Sequence, residues 1–127
     1  MRRSGPEGEA AAARMLERAG WRIVARNWRA GRTGELDIVA LDGRTLVIVE
    51  VKAAAREGYG DPVARITPAK QRQLARLAQA FVAVYTAAGR SEPVDAVRFD
   101  VVTVDLRVAP PTLAHLVDAF RPEADDR

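Results

Sequence analysis

The chain has 127 residues, a formal net charge of +3 and 48% hydrophobic residues, which suits a single globular domain over residues 1–127 with one core. It has no cysteine and one histidine, which excludes disulfides, thiolate metal sites and histidine-rich zinc sites. No run reaches the length of a membrane span and no apolar segment with a small-residue cleavage site opens the chain, so the expectation is a cytoplasmic protein without membrane insertion.

In chain order, Ser4 with Glu7 three residues later reads as a capping box, and Pro6 and Glu9 suit the first turn of a helix that ends near Ala19, before Gly20. Its small apolar face should lie on a sheet. Trp21 to Trp28 alternates as a strand, and Gly31-Arg32-Thr33-Gly34 is a turn that leads into the next element. Arg26, Arg29 and Arg32 gather at that end, as a solvated rim or as contacts to phosphate; Trp21 and Trp28 read as packing residues.

From Gly34 to Lys52 two runs of Val, Ile and Leu flank Asp42-Gly43, a dipeptide that favours a two-residue turn, so a β-hairpin is expected. Centring the turn on Asp42-Gly43 pairs Leu41 with Arg44, Asp37 with Ile48 and Glu35 with Glu50. Alternation then sends Glu35, Asp37, Glu50 and Lys52 to one side of the hairpin. Like charges facing one another on a sheet repel, and a half-buried carboxylate must be paired or neutralised. A hard divalent cation, which takes oxygen ligands at about 2.0–2.1 Å, would resolve the conflict. The bland alternative, solvent-face charges on a half-exposed hairpin, fits a lone Glu-x-Lys better than it fits this four-residue convergence. Of the twenty basic residues only Lys52 and Lys70 are lysine, and a compact ammonium at the Glu-x-Lys position suggests a role that a planar guanidinium does not fill.

After Lys52 the pattern dissolves through Ala53 to Pro62 into a long loop with glycines around Tyr59. Thr67-Pro68 then opens the longest helix, which closes before Gly89, with Leu74, Leu77, Ala78, Phe81, Val84, Tyr85 and Ala88 as its buried stripe. Lys70 extends that stripe by one turn toward the sheet, as a phosphate contact or a snorkelling side chain, while Arg72 and Arg76 lie on the outer face. Val94 to Asp105 reads as a strand with Val97, Phe99 and Val101 on one face and Asp100, Val102 and Val104 on the other. Pro110-Pro111-Thr112 is expected to start a short C-terminal helix through Phe120, carrying His115 as a packing or hydrogen-bonding residue, and residues 121–127 form a polar tail. The elements read α-β-β-β-α-β plus a terminal helix: an α/β fold with one mixed sheet flanked by helices.

An Asp on one strand followed by Glu-x-Lys on the next resembles the PD-(D/E)xK nucleases, the restriction-endonuclease-like fold shared with archaeal-type Holliday junction resolvases. More specifically, Gly8-Glu9, Arg26-Asn27, Gly34-Glu35-Leu36-Asp37, Val49-Glu50-Val51-Lys52, Lys70, Arg98-Phe99-Asp100-Val101-Val102 and Ala119-Phe120 resemble the YraN-like family of small bacterial proteins in order and spacing. The resemblance implies an αβββαβ core and metal-dependent hydrolysis of structured or branched DNA. It implies that Asp37 and Glu50 hold Mg²⁺ or Mn²⁺ with the Val51 carbonyl and Glu9, that Lys52 acts on the attacking water, and that Glu35 is the next candidate, as a ligand or as a partner of the ligands from behind. Arg26, Arg32, Arg56, Lys70, Arg72 and Arg76 become the candidate nucleic-acid contacts. Resolvases act as dimers, which implies a homodimer, although no interface is legible in the sequence. Where that family commonly has Thr-Arg after the lysine, this chain has Ala53-Ala54, so a basic contact is lost or moved to Arg56. The competing expectation is a nucleic-acid-binding or assembly module that keeps the fold and no longer cleaves.

Overall fold

Strands whose two faces are both apolar belong in the middle of a sheet, and the two Val/Ile/Leu runs on either side of Gly43 occupy that place. The computed structural model describes residues 5–54, 61–89 and 93–122. The elements are α1 (Gly5–Arg18), β1 (Arg22–Arg29), β2 (Glu35–Asp42), β3 (Thr45–Ala53), a 3₁₀ turn at Pro62–Arg65, α2 (Pro68–Ala87), β4 (Ala96–Asp105) and β5 (Thr112–Phe120). The sheet order is β1-β2-β3-β4-β5, antiparallel throughout except for the parallel pair β3 and β4 joined across α2. The expected start at Ser4, the loop at 55–60 with Arg56 and Tyr59, and the tail from 123 onward lie outside the described residues.

Each face of the sheet carries one helix. Ala11, Ala12, Ala13 and Leu16 of α1 pack on Ile38, Ala40, Val47, Val49, Val51, Val102 and Val104, small alanines letting the helix sit close to the strands. Gly20, at φ 92, ends α1 in a Schellman motif, with Trp21 N–H bonded to Leu16 O at 3.1 Å and Gly20 N–H to Glu17 O at 3.0 Å, as its glycine predicts. On the other face Leu74, Leu77, Ala78, Phe81 and Tyr85 of α2 cover Val39, Leu41, Leu46, Ile48, Phe99 and Val101. Thr67 caps α2, its side chain accepting from Lys70 N–H at 3.1 Å. The helix stripe is narrower than expected: Val84 is 56% exposed and Ala88 is exposed too.

Two expectations are corrected. The hairpin turn is Gly43-Arg44, not Asp42-Gly43: Asp42 pairs with Thr45, Leu41 with Leu46 and Val39 with Ile48. Gly43 has φ 60 and no other residue of the turn has positive φ, the pattern of a type II′ turn with glycine first, whereas Asp42-Gly43 would need a left-handed aspartate as well. The register thus moves by two residues, an even step, so along the paired stretch from Ile38 to Asp42 the faces survive and the facing partners change, whereas Leu36 and Ile38 end on opposite faces of the sheet. The second correction is the C-terminal segment. Thr112–Phe120 is strand β5, antiparallel to β4 at the sheet edge, not a helix, and His115 stands on it. The spacing of Leu113, Leu116 and Phe120 imitates a helical stripe because the β4–β5 register shifts between Phe99 and Val101 and Asp118 has φ 53, so a bulge breaks the strand's period of two. Pairing with β4 outweighs the weak local preference.

Candidate functional site

The site sits where β2 and β3 part. Their ladder runs from Asp42–Thr45 only as far as Ile38–Val49, while β3 continues beside β4 to Ala53. Beyond Ile38 the strand turns over: Leu36 belongs to the α2-side core and Ile38, two residues on, to the α1-side core. On β1 the residue between the pairs Arg26–Ile38 and Trp28–Leu36 is Asn27, at φ 52. Asparagine is the side chain other than glycine best suited to that left-handed conformation. Asn27 and Asp37 therefore mark the point at which two neighbouring strands swing together, and the acidic end of β2 is turned into the gap.

Into that gap come four carboxylates. One oxygen each from Glu9 of α1 and from Glu35 and Asp37 of β2 lie within 4.8 Å of one another. Glu9 is 6% and Asp37 1% exposed. The parted strands are tied back by Asp37 itself, whose Oδ2 accepts the Val51 N–H at 2.9 Å. Glu50, 4% exposed, interacts with Asp37 from β3. Lys52 Nζ lies 3.2 Å and Lys70 Nζ 4.0 Å from Glu50 Oε2, and Arg29 reaches Glu35 Oε2 at 2.6 Å.

Burial is the main reason the Glu50 carboxyl is pushed up to about 7, with repulsion from Asp37 next; Lys52 and Lys70 oppose the rise without cancelling it. A carboxyl held that high beside two ammonium groups marks a pocket with an excess of acid. An all-oxygen donor set of this kind suits Mg²⁺ or Mn²⁺ in preference to a softer metal.

Each site residue singled out in the sequence, Arg56 excepted, has a place among the described residues. Glu9, Glu35, Asp37, Glu50, Lys52 and Lys70 converge, and Val51 joins them through its N–H. Glu35, ranked behind Glu50 in the sequence, is the one grouped tightly with Glu9 and Asp37. Arg26, Arg32, Arg72 and Arg76 are exposed, the first two along β1 and the loop that follows it and the other two on α2; Arg56 is outside the described residues. Three roles had no sequence signal: Arg29 as the partner of Glu35, where a rim or phosphate contact was the expectation, Asn27 as the pivot, and Gln73, whose amide donates to the Thr33 carbonyl beside the site.

Away from the gap, the Arg-Phe-Asp run of β4 builds a structural knot. Asp100, with no exposure, accepts from Arg98 Nε and Nη2 at 2.9 and 3.0 Å, from Asp118 N–H at 2.9 Å, and lies 2.8 Å from His115 Nε2. Trp21 closes it, edge-on to His115 at 5.2 Å and 5.3 Å beneath the Arg98 guanidinium. His115 is thus a hydrogen-bonding residue, as expected, and the knot fastens edge strand β5.

Residues 8–104 match the model of an uncharacterised protein family, UPF0102, the YraN family. A UPF0102 protein of Nitratidesulfovibrio vulgaris is 45% identical over 117 residues, covering 92% of this chain and 83% of its own length. One from Symbiobacterium thermophilum is 51% identical over 104 residues, 82% of this chain and 83% of its own. One from Geobacter sulfurreducens is 46% identical over 118 residues, 91% and 87%.

Proposed function

The chain belongs to the uncharacterised family UPF0102, and from its acidic gap we propose that it is a divalent-metal-dependent endonuclease that hydrolyses phosphodiester bonds in structured or branched DNA. The observation that carries the reading is the meeting of Asp37, Glu50 and Lys52 at the parting of β2 and β3, with Glu9 and Glu35 closing the cluster. Asp37 and Glu50 would hold the cation with Glu9, Glu35 and the Val51 carbonyl as the further oxygen donors. The bound Mg²⁺ or Mn²⁺ supplies Lewis-acid stabilisation of the phosphate oxygens.

The chain's own groups do the rest. Asp37, fixed by the Val51 N–H, keeps its carboxylate aimed into the gap. Lys52 holds the attacking water by hydrogen bonding and offsets negative charge that grows in the transition state. Lys70, at the start of α2, faces the Glu50 carboxylate and would meet a phosphate there. Exposed Arg26, Arg32, Arg72 and Arg76 offer backbone contacts for a nucleic acid, which position without reading sequence.

A second reading, a nucleic-acid-binding module without cleavage, draws on the Ala53-Ala54 pair in place of a polar and basic one. Mn²⁺ titration followed by electron paramagnetic resonance separates the two. The nuclease reading expects saturable binding that Asp37→Asn and Glu50→Gln abolish; wild-type protein that takes up no Mn²⁺ overturns it.

A further inference from the structure

The acidic gap has two arms, β2 with Glu35 and Asp37 and β3 with Glu50 and Lys52, and one helix touches both. Lys70 of α2 meets Glu50 on the β3 arm. Gln73 stands three residues on, which places it on the same helix face, and it reaches the other arm, its Nε2 donating to the Thr33 carbonyl. An amide group facing a carbonyl must present its NH₂ end, so the orientation of this side chain is fixed by chemistry. The contact works because the next residue lacks a side chain: Gly34 has φ 131, and a Cβ there would fall 2.5 Å from Gln73 Nε2 and 3.2 Å from Gln73 Cδ. Glu35 follows at once. The loop is thus pressed onto α2 at the point where it delivers Glu35 to Glu9 and Asp37.

We infer that Gln73 is a positioning residue for the metal site. Its amide, clasped to Thr33 over a bare Gly34, sets the spacing between the Glu35 carboxylate on one arm and the Glu50 carboxylate on the other. The inference rests on the reading of the gap as a cation site. A divalent cation tolerates small errors in ligand position poorly, and groups that orient ligands from behind commonly govern affinity by about 10–100-fold. A tether with no such role would secure the loop and leave affinity alone.

The test compares the full chain with Gln73→Ala, Gln73→Glu and, as a control on the exposed side of the same helix, Gln79→Ala. Gln73→Glu keeps the packing of the side chain, removes the donor and sets a carboxylate against a carbonyl, so it decides the matter if Gln73→Ala fails to fold. Mn²⁺ affinity is expected to fall about tenfold or more in both Gln73 variants and to hold in Gln79→Ala. Melting temperature without metal should stay within about 4 °C of wild type, since one exposed hydrogen bond is worth about 1 kcal/mol. Amide exchange at Glu35 and Leu36 should quicken in the metal-free variants. Wild type that binds Mn²⁺ with both Gln73 variants binding equally well overturns the positioning role alone. Wild type that binds no Mn²⁺ overturns the cation-site reading and this inference with it.

Discussion

At pH 8 and without divalent metal, Glu50→Gln is expected to stabilise the protein. Burial and Asp37 hold the Glu50 carboxyl at about 7, against 4.5 for an ordinary glutamate. The folded chain therefore keeps this proton to higher pH than the unfolded chain does. Stability falls as pH rises from about 4.5 to about 7, and the full cost persists above that window. At about 1.4 kcal/mol per pH unit the cost is about 3 kcal/mol at pH 8, or roughly 10 °C in melting temperature for a chain of this size. Glutamine has nearly the shape of the protonated acid and carries no charge, so it should remove the penalty while leaving stability at pH 5 nearly unchanged. The assay is urea unfolding of wild type and Glu50→Gln in EDTA at pH 5 and pH 8, reading the difference between the two proteins so that other titrating groups cancel. Added Mn²⁺ should reverse the order at pH 8, since a cation favours the ionised acid. A variant that is no more stable than wild type at pH 8 in EDTA would refute the argument that Glu50 is crowded by burial and by Asp37.

If the protein cleaves phosphodiesters, Lys52→Met should suppress single-turnover cleavage by about 10²-fold or more with little change in DNA affinity, because the ammonium acts on charge that develops in the transition state; Lys52→Arg should rescue poorly. Asn27→Gly should fold with stability close to wild type, whereas Asn27→Val, a β-branched residue at φ 52, should lose about 1–2 kcal/mol in urea unfolding and weaken Mn²⁺ binding by disturbing the strand swing. Asp100→Asn should destabilise by about 1–3 kcal/mol in the same unfolding assay, since it leaves the partly buried donors of the Arg98–His115 knot without their charge partner.

Alternation and turn chemistry were enough to bring Asp37, Glu50 and Lys52 to one side of a hairpin, even though the turn residues were misplaced by one. The error was harmless because a two-residue change of register preserves faces. Local chemistry could not reveal that β2 and β3 part at Ile38, nor that Asn27 and Asp37 turn their strands together; both depend on which strands a residue meets across the sheet. For that reason Glu35 was ranked below Glu50, although the swing of β2 brings it against Glu9. The last strand hides in the sequence for a related reason. A proline pair before a segment with apolar residues at positions 113, 116 and 120 satisfies a helical pattern, and only pairing with β4, with its bulge opposite Asp100, shows that the same spacing belongs to an interrupted strand. Gln73 carried no signal, since a lone glutamine on a helix acquires meaning only when Gly34 is seen beneath it.

On the proposed reading the acidic gap uses a divalent cation to break phosphodiester bonds. Single-turnover incubation of a four-way DNA junction and of a linear duplex with wild type and Asp37→Asn, in Mg²⁺, Mn²⁺ or EDTA, tests it most directly. Strand breaks are expected in the junction with wild type and metal, and none with Asp37→Asn or in EDTA. Wild-type protein that binds the junction in a salt-dependent manner and leaves both substrates intact with either metal would contradict it and assign the fold to binding alone.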